Sequence, residues 1–356
     1  MSNFILKTLE TRELKLNTIR LRGFYGGKLR KGSGGGGSGD GFPVLPGDVT
    51  RWHFGGLTNE MMAAMDDPRI EDADGKGRFL SFKNFAWKGM SGVGGYGDEN
   101  YQTFYKFTLD DYVFIASPPG VEHMNFTFRV TGLQPGNKLT LAFFGTTNTV
   151  YGTWDKDGIY TVDADIVEAG KPTYFYNGYG ATRGEFTIEI LPLYPGALVF
   201  DGVDDYGVCN NFPILTKEKG YTVVALRQWI EEKNDSTALV SNCKNWGQNG
   251  AFLFEYNNLR INFLNVAISF GYVSSVDRGK SPFSYQTSKL YNGKNIEPGS
   301  LIGSNELIVG KGNKDFSTFS KAAIWELVFL DHDATEEELT KIKDYFIKTY
   351  PRLFPD

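Results

Sequence analysis

The sequence predicts an all-β protein with two β-sandwich domains of the jelly-roll type, preceded by an extended N-terminal arm. Aromatic residues make up 15% of the 356 residues, and most are phenylalanine or tyrosine, which favour strands. The 43 glycines supply the turns that separate short strands. At roughly 100–200 residues per domain, this length accommodates two domains. No run of about 18 apolar residues occurs, so we expect no membrane insertion.

The N-terminal arm, residues 1–31, is basic. It has eight lysines and arginines against two glutamates, a net charge of +6, whereas the rest of the chain carries −11. An acidic body does not suit nucleic acid, and a basic arm ahead of it predicts docking on another protein. A solvated, frayed terminus is the alternative. The residues that we expect to anchor the arm are Arg12, Lys15, Arg20, Arg22, Lys28 and Arg30.

Residues 32–41 form a Gly/Ser-rich linker, which predicts a flexible tether spanning roughly 15–20 Å. Residues 1–22 contain no apolar stretch typical of a secretion signal, so we expect a product that is not exported.

Residues 42–195 are predicted to be the first β-sandwich. Residues 126–130 alternate apolar and polar side chains, and Asp157-Gly158 marks a hairpin. One short helix is expected over residues 57–65, capped by Thr58 or Asn59.

Residues 196–356 are predicted to be the second sandwich. Residues 197–206 (Ala-Leu-Val-Phe-Asp-Gly-Val-Asp-Asp-Tyr) resemble the first strand of concanavalin A-like domains of the laminin G-like type. Residues 221–227 and 323–329 are similar to core strands of that family, which implies a lectin-like sandwich. Thr335 and Glu338 form a capping box at the start of a C-terminal helix, which Pro351 ends.

Residues 163–168 (Asp-Ala-Asp-Ile-Val-Glu) resemble the Glu-x-Asp-x-x-Glu signature of glucanases with the concanavalin A-like fold. In that family, the first and last acids are the catalytic pair. Here Asp163 stands in place of the first glutamate, and the motif lies outside the lectin-like half. We therefore interpret these acids as solvated strand residues, and we assign no catalytic residue. The two cysteines and three scattered histidines show no metal-site or triad spacing.

Ligand contacts are expected on loops that carry indole and amide groups, because aromatic faces stack on sugar C–H groups and amides bind hydroxyls. The candidates for glycan contact are Asn245, Trp246, Gln248, Asn249 and Asn292. We expect no cofactor and no metal. The weak calcium candidates are Asp201, Asp204 and Asp205, although an Asp-Gly turn is the more usual role of such a segment.

The layout of a basic arm, a glycine-rich linker and two sandwiches resembles head-fibre or tail-fibre proteins of crAss-like bacteriophages, which infect Bacteroidales. This resemblance implies a non-enzymatic structural protein of the virion, anchored by its arm to capsid or tail proteins. It further implies a homotrimer that presents its lectin-like domain to host-surface polysaccharide or protein. The alternatives are a cell-surface glycan-binding protein and a glycoside hydrolase with the concanavalin A-like fold.

Overall fold

The computed structural model describes residues 40–96, 104–107, 112–116, 123–143, 149–165, 172–178, 186–215, 219–231, 237–242, 252–255, 281–295, 304–312 and 317–355. The N-terminal arm, with the residues predicted to anchor it, and nearly all of the linker lie outside these ranges. Two compact units are formed by residues 1–44 and 45–356. Every described strand and helix belongs to the second unit, and the prediction of an all-β fold with a C-terminal helix is confirmed.

The described strands and helices follow one another along the chain in a simple order. The strands are β1 Val49–His53, β2 Arg69–Glu71, β3 Phe79–Lys83, β4 Gly92–Val93, β5 Phe104–Phe107, β6 Tyr112–Ala116, β7 His123–Thr131, β8 Lys138–Phe143, β9 Thr149–Trp154, β10 Gly158–Asp165, β11 Pro172–Gly178, β12 Phe186–Leu191, β13 Leu198–Asp201, β14 Tyr206–Cys209, β15 Thr222–Glu231, β16 Val240–Ser241, β17 Leu253–Phe254, β18 Phe283–Thr287, β19 Leu290–Tyr291, β20 Lys294–Asn295, β21 Leu307–Val309 and β22 Lys321–Leu330. The helices are α1 Asn59–Ala63 and α2 Glu336–Thr349, followed by a 3₁₀ turn at Pro351–Leu353. Within the described residues, neither helix has the length and apolar character that crossing a membrane requires.

The smaller sandwich is built from two antiparallel sheets of four strands each. One sheet has the order β10-β7-β12-β5 and the other the order β6-β11-β8-β9. Alternation along β7 directs Phe126 and Phe128 inward, where they meet Phe175 from the facing sheet at 6.1 Å and 5.0 Å between ring centroids. Leu141 and Ile188 complete this core.

The larger sandwich pairs an eight-stranded sheet with a six-stranded sheet. The order of the first is β20-β19-β18-β15-β22-β13-β4, and β1 also pairs with β22. The order of the second is β17-β16-β21-β14-β3-β2. Apolar side chains from both sheets form one core between them, including Trp52, Phe82, Phe200, Tyr221 and Phe329.

The expected division into domains 42–195 and 196–356 does not coincide with the sheets. β1 pairs with β22, from Val49 opposite Leu330 to His53 opposite Glu326. β3 pairs with β14, and β4 pairs with β13. Residues 49–93 therefore complete the larger sandwich, and the smaller one is inserted between them and β13. The sequence did not reveal this because alternation shows which face of a strand is buried and leaves its partner open.

Helix α2 packs on the outer face of the eight-stranded sheet, and the predicted capping box is present at Thr335 and Glu338. The buried apolar stripe includes Leu339, Ile342 and Phe346, whose ring lies 6.1 Å from that of Phe283 on β18. At the start of α1, Thr58 is the cap, since its hydroxyl accepts from the Met61 amide. Asn59 instead exchanges two hydrogen bonds with the backbone of Val93.

Candidate functional site

Alternation along the strands of the six-stranded sheet places a set of side chains on its outer face, away from the core. Leu80 and Phe82 of β3 point into the core, so Phe79, Ser81 and Lys83 point outward. The same rule puts Tyr206 and Val208 of β14, and Ile308 of β21, on the outer face.

The strand register aligns four outward-facing residues in one row across the sheet. Arg69 lies opposite Ser81, Ser81 opposite Val208, and Val208 opposite Ile308. The last three have small or aliphatic side chains, so they form a low floor. We call the resulting cavity of about 770 Å³ the outer groove. Its described lining consists of Asp67, Arg69, Phe79, Ser81, Lys83, Tyr206, Val208, Asn210, Asn211, Ile308 and Lys311.

Aromatic rings flank the floor on both sides. Phe79 is 38% exposed, which is unusual for a phenylalanine, and the Arg69 guanidinium lies 4.9 Å from its ring centroid. On the other side, the Lys311 ammonium lies 5.3 Å from the Tyr206 ring and 4.7 Å from that of Phe319. A cation thus lies over each ring, and these cation–π contacts hold the rings in place.

Charged and amide side chains form the rim of the outer groove. Asp67 pairs with Lys83 at 3.0 Å and with Arg69 at 3.6 Å. The Asn211 amide donates to the Gly77 carbonyl at 2.7 Å, which fixes its orientation. The groove thus combines aromatic rings with planar groups that donate and accept hydrogen bonds.

Of the predicted glycan contacts, the structure describes only Asn292, and this residue does not line the outer groove. Asn245, Trp246, Gln248 and Asn249 lie outside the described residues. Asn292 lies in the turn between β19 and β20, with a φ of 45°. Its side-chain oxygen accepts from the Tyr285 amide at 2.8 Å, and its nitrogen donates to the Ser284 hydroxyl at 3.2 Å. The Asn292 amide is therefore used to hold this hairpin together.

The carboxylates of Asp201, Asp204 and Asp205 do come together, with oxygens within 4.8 Å of one another. The fully buried Asp205 carboxyl accepts from the Ser91 hydroxyl at 2.9 Å and from the Asp201 amide at 3.0 Å. Burial, and then the nearby charge of Asp201, raise the pKa of Asp205 to about 8. Asp201 in turn accepts from the Val203 amide at 2.7 Å. The cluster is a hydrogen-bonded turn that holds a neutral acid at pH 7.

The acids that resemble a glucanase signature lie on an open strand face. Asp163 and Asp165 of β10 have side chains that are 67% and 94% exposed. The His123 imidazole from β7 lies between them, 2.8 Å from Asp165 and 2.6 Å from Asp163. Hydrogen bonds to Asp165 and Asp163 raise the pKa of His123. Glu168 lies outside the described residues. The two described acids thus bind an imidazole on a solvated surface and line no described cavity.

Sequence reasoning did not identify Phe79 or Tyr206 as site residues. One usable signal was the alternation itself, because it leaves Phe79 on the face opposite Leu80 and Phe82. That signal does not say that Tyr206, more than a hundred residues later, lies across the same groove.

The chain was compared with protein-family models, curated proteins and solved structures. No family model matches the chain, and no curated protein matches it either. One similar solved structure is a Trypanosoma rangeli sialidase in complex with sialic acid, with 9% sequence identity and a TM-score of 0.26. The alignment covers 82% of this chain, which spans 61% of the length of that one. A likeness of this size carries no argument about function.

Proposed function

We propose that this chain is a non-enzymatic carbohydrate-binding protein and that the outer groove holds the sugar. The observation that carries the proposal is the pair of rings, Phe79 and Tyr206, on either side of a floor of small side chains. The C–H faces of a pyranose are apolar and pack on aromatic rings, whereas its hydroxyls need polar partners at the edge. A volume of about 770 Å³ suits one or two sugar rings.

The rim supplies the polar partners that sugar hydroxyls require. Asp67 accepts hydrogen bonds, Arg69 donates them from a planar fork, and Asn210 does both. Because Asp67 and Arg69 already contact each other, their side chains are oriented before a ligand arrives. Such pre-orientation lowers the entropic cost of binding.

The single acid of the described groove lining favours binding without hydrolysis. Glycoside hydrolases use two carboxyl groups, about 5–9.5 Å apart, on either side of the scissile bond. Asp67 is the only carboxylate among the described residues that line the groove. Its carboxylate instead pairs with Lys83 and Arg69 at the rim.

The proposal is tested by screening the full-length chain on a glycan array and measuring the best ligand by calorimetry. Phe79→Ala and Tyr206→Ala should each weaken binding about tenfold, as expected for the loss of one ring contact. Ile159→Ala is the matched control, because this side chain is 59% exposed on the smaller sandwich. A wild-type chain that binds no glycan, or ring variants that bind like wild type, would refute the assignment.

We also propose that the chain is a fibre component of a phage virion, with residues 1–31 docked on capsid or tail proteins. The +6 charge of the arm and the glycine- and serine-rich composition of the linker behind it support this role. Co-sedimentation with virions in a density gradient should require residues 1–31. Light scattering should give three chains per particle, with or without the arm, and a monomer in both cases would contradict a free-standing fibre.

A further inference from the structure

A second cavity, of about 680 Å³, lies on the other side of the larger sandwich, between helix α2 and the strands β18 to β20. Because α2 packs on the outer face of the eight-stranded sheet, this cavity is separated from the outer groove by the core. We call it the helix cleft. Its volume lies within the usual range for sites of small ligands, which is about 300–1,000 Å³.

One wall of the helix cleft is a polar stripe of α2. Glu336, Thr340 and Lys343 occur at positions i, i+4 and i+7, so they share one side of the helix. All three side chains are exposed. The Thr340 hydroxyl donates to the Glu336 carbonyl at 2.8 Å, which leaves its oxygen able to accept a further bond.

The facing wall is aromatic and held in place. Phe283 and Tyr285 of β18 contact each other at 5.9 Å between ring centroids, with planes inclined by 48°. Phe283 is fixed from behind by Phe346 of α2, at 6.1 Å. Asn292 ties the neighbouring turn to the Tyr285 backbone. Burial raises the pKa of Tyr285, so its phenol keeps its proton at neutral pH.

The charge of the helix cleft is positive in a chain that is acidic overall. Arg227, Lys294 and Lys343 line it, against one acid, Glu336. Arg227 is balanced by the buried Glu255. Lys294 and Lys343 form no ion pair within the described part of the chain. A bound anion would therefore meet two ammonium groups that have no described acidic partner.

We propose that the helix cleft binds an acidic saccharide, a sugar ring that carries a carboxylate. Lys294 and Lys343 bind the carboxylate, Glu336 and Thr340 accept from ring hydroxyls, and Phe283 and Tyr285 contact the C–H face. The inclined rings leave no parallel slot for a flat nucleobase. Glu336 would repel a phosphate dianion more than a carboxylate, which carries a single charge.

The full-length chain is titrated by calorimetry with methyl glucuronide, methyl galacturonide and methyl sialoside, and with methyl glucoside as the neutral analogue. At least one acidic sugar should bind ten or more times more tightly than the glucoside. Lys343→Ala should weaken that binding about tenfold, whereas Lys348→Ala, in the last turn of the same helix, should not change it. Phe79→Ala should also leave it unchanged, which separates this site from the outer groove.

Inorganic phosphate and adenosine monophosphate are titrated in the same way, to test whether the helix cleft is a phosphate site instead. If either binds more tightly than every acidic sugar, the helix cleft is a phosphate site and the proposal is overturned. Binding of none of the three acidic sugars overturns it as well. Equal losses in Lys343→Ala and Lys348→Ala would show a general effect of charge and would also contradict it.

Discussion

The carboxyl group of Asp205 should make this protein less stable as the pH rises. Its side chain is fully buried, and burial raises its pKa from 3.8 to about 8, with a further contribution from Asp201. The unfolded chain releases this proton near pH 4, whereas the folded chain keeps it until about pH 8. The folded state therefore holds the extra proton in this window. Its contribution to stability is complete below pH 4 and is lost as the pH approaches 8.

The size of the effect follows from proton linkage. One proton held only by the folded state changes the free energy of unfolding by at most about 1.4 kcal/mol per pH unit. Both pH 5 and pH 7 lie within this window. Between them, the ionisation of Asp205 should thus lower the free energy of unfolding by about 3 kcal/mol. This is a large share of the 5–15 kcal/mol or so that is typical of folded proteins.

Asp205→Asn isolates this contribution because an amide imitates the neutral acid. The amide oxygen can accept from the Asp201 amide as the carboxyl does. The Ser91 hydroxyl, which donates to the carboxyl in wild type and accepts from the Ala86 amide, can turn to accept from the new amide nitrogen through its second lone pair. Urea unfolding, followed by tryptophan fluorescence at pH 5, 6, 7 and 8, measures the free energy of unfolding. Between pH 5 and pH 7, the free energy of unfolding of wild type should fall by about 3 kcal/mol relative to that of the variant.

Asp204→Asn is the control, since it makes the same substitution at the exposed neighbour and should leave the pH dependence of wild type nearly intact. If wild type and Asp205→Asn change in parallel with pH, Asp205 is ionised in the folded protein. The description of the cluster as a turn around a neutral acid would then be wrong, and a site for a cation would become the better interpretation.

Three further predictions concern other parts of the fold. Arg227→Met leaves the Glu255 carboxylate buried without its cation, so urea unfolding should show a loss of about 3–5 kcal/mol; a loss below about 1 kcal/mol would contradict the ion pair. Asp165→Asn removes the hydrogen bond that contributes most to the raised pKa of His123, so that pKa, followed by NMR, should fall; an unchanged value would contradict the contact. Thr335→Ala should cost about 1 kcal/mol in thermal unfolding through loss of the helix cap, whereas Thr349→Ala, at the other end of α2, should cost less.

The sequence predicted the features that depend on neighbouring residues. Alternation at residues 126–130 placed Phe126 and Phe128 in a core, and the capping box at Thr335 and Glu338 placed the start of α2. Both are local, because a strand alternates every two residues and a cap involves residues three apart. Asp163 and Asp165 were likewise interpreted as solvated strand acids, and their side chains are exposed.

Only the tertiary structure decided which strands meet. Val49–His53 joins the last strand of the chain, and this overturned the domain boundary expected at residue 196. The outer groove brings Phe79 and Tyr206 together, and the helix cleft brings Tyr285 and Lys343 together. A strand's own pattern fixes which face is buried, but its partner is chosen by the packing of the whole core. For this chain, local sequence patterns therefore determined the class of the fold, whereas both candidate sites depend on contacts between segments that are distant in the sequence.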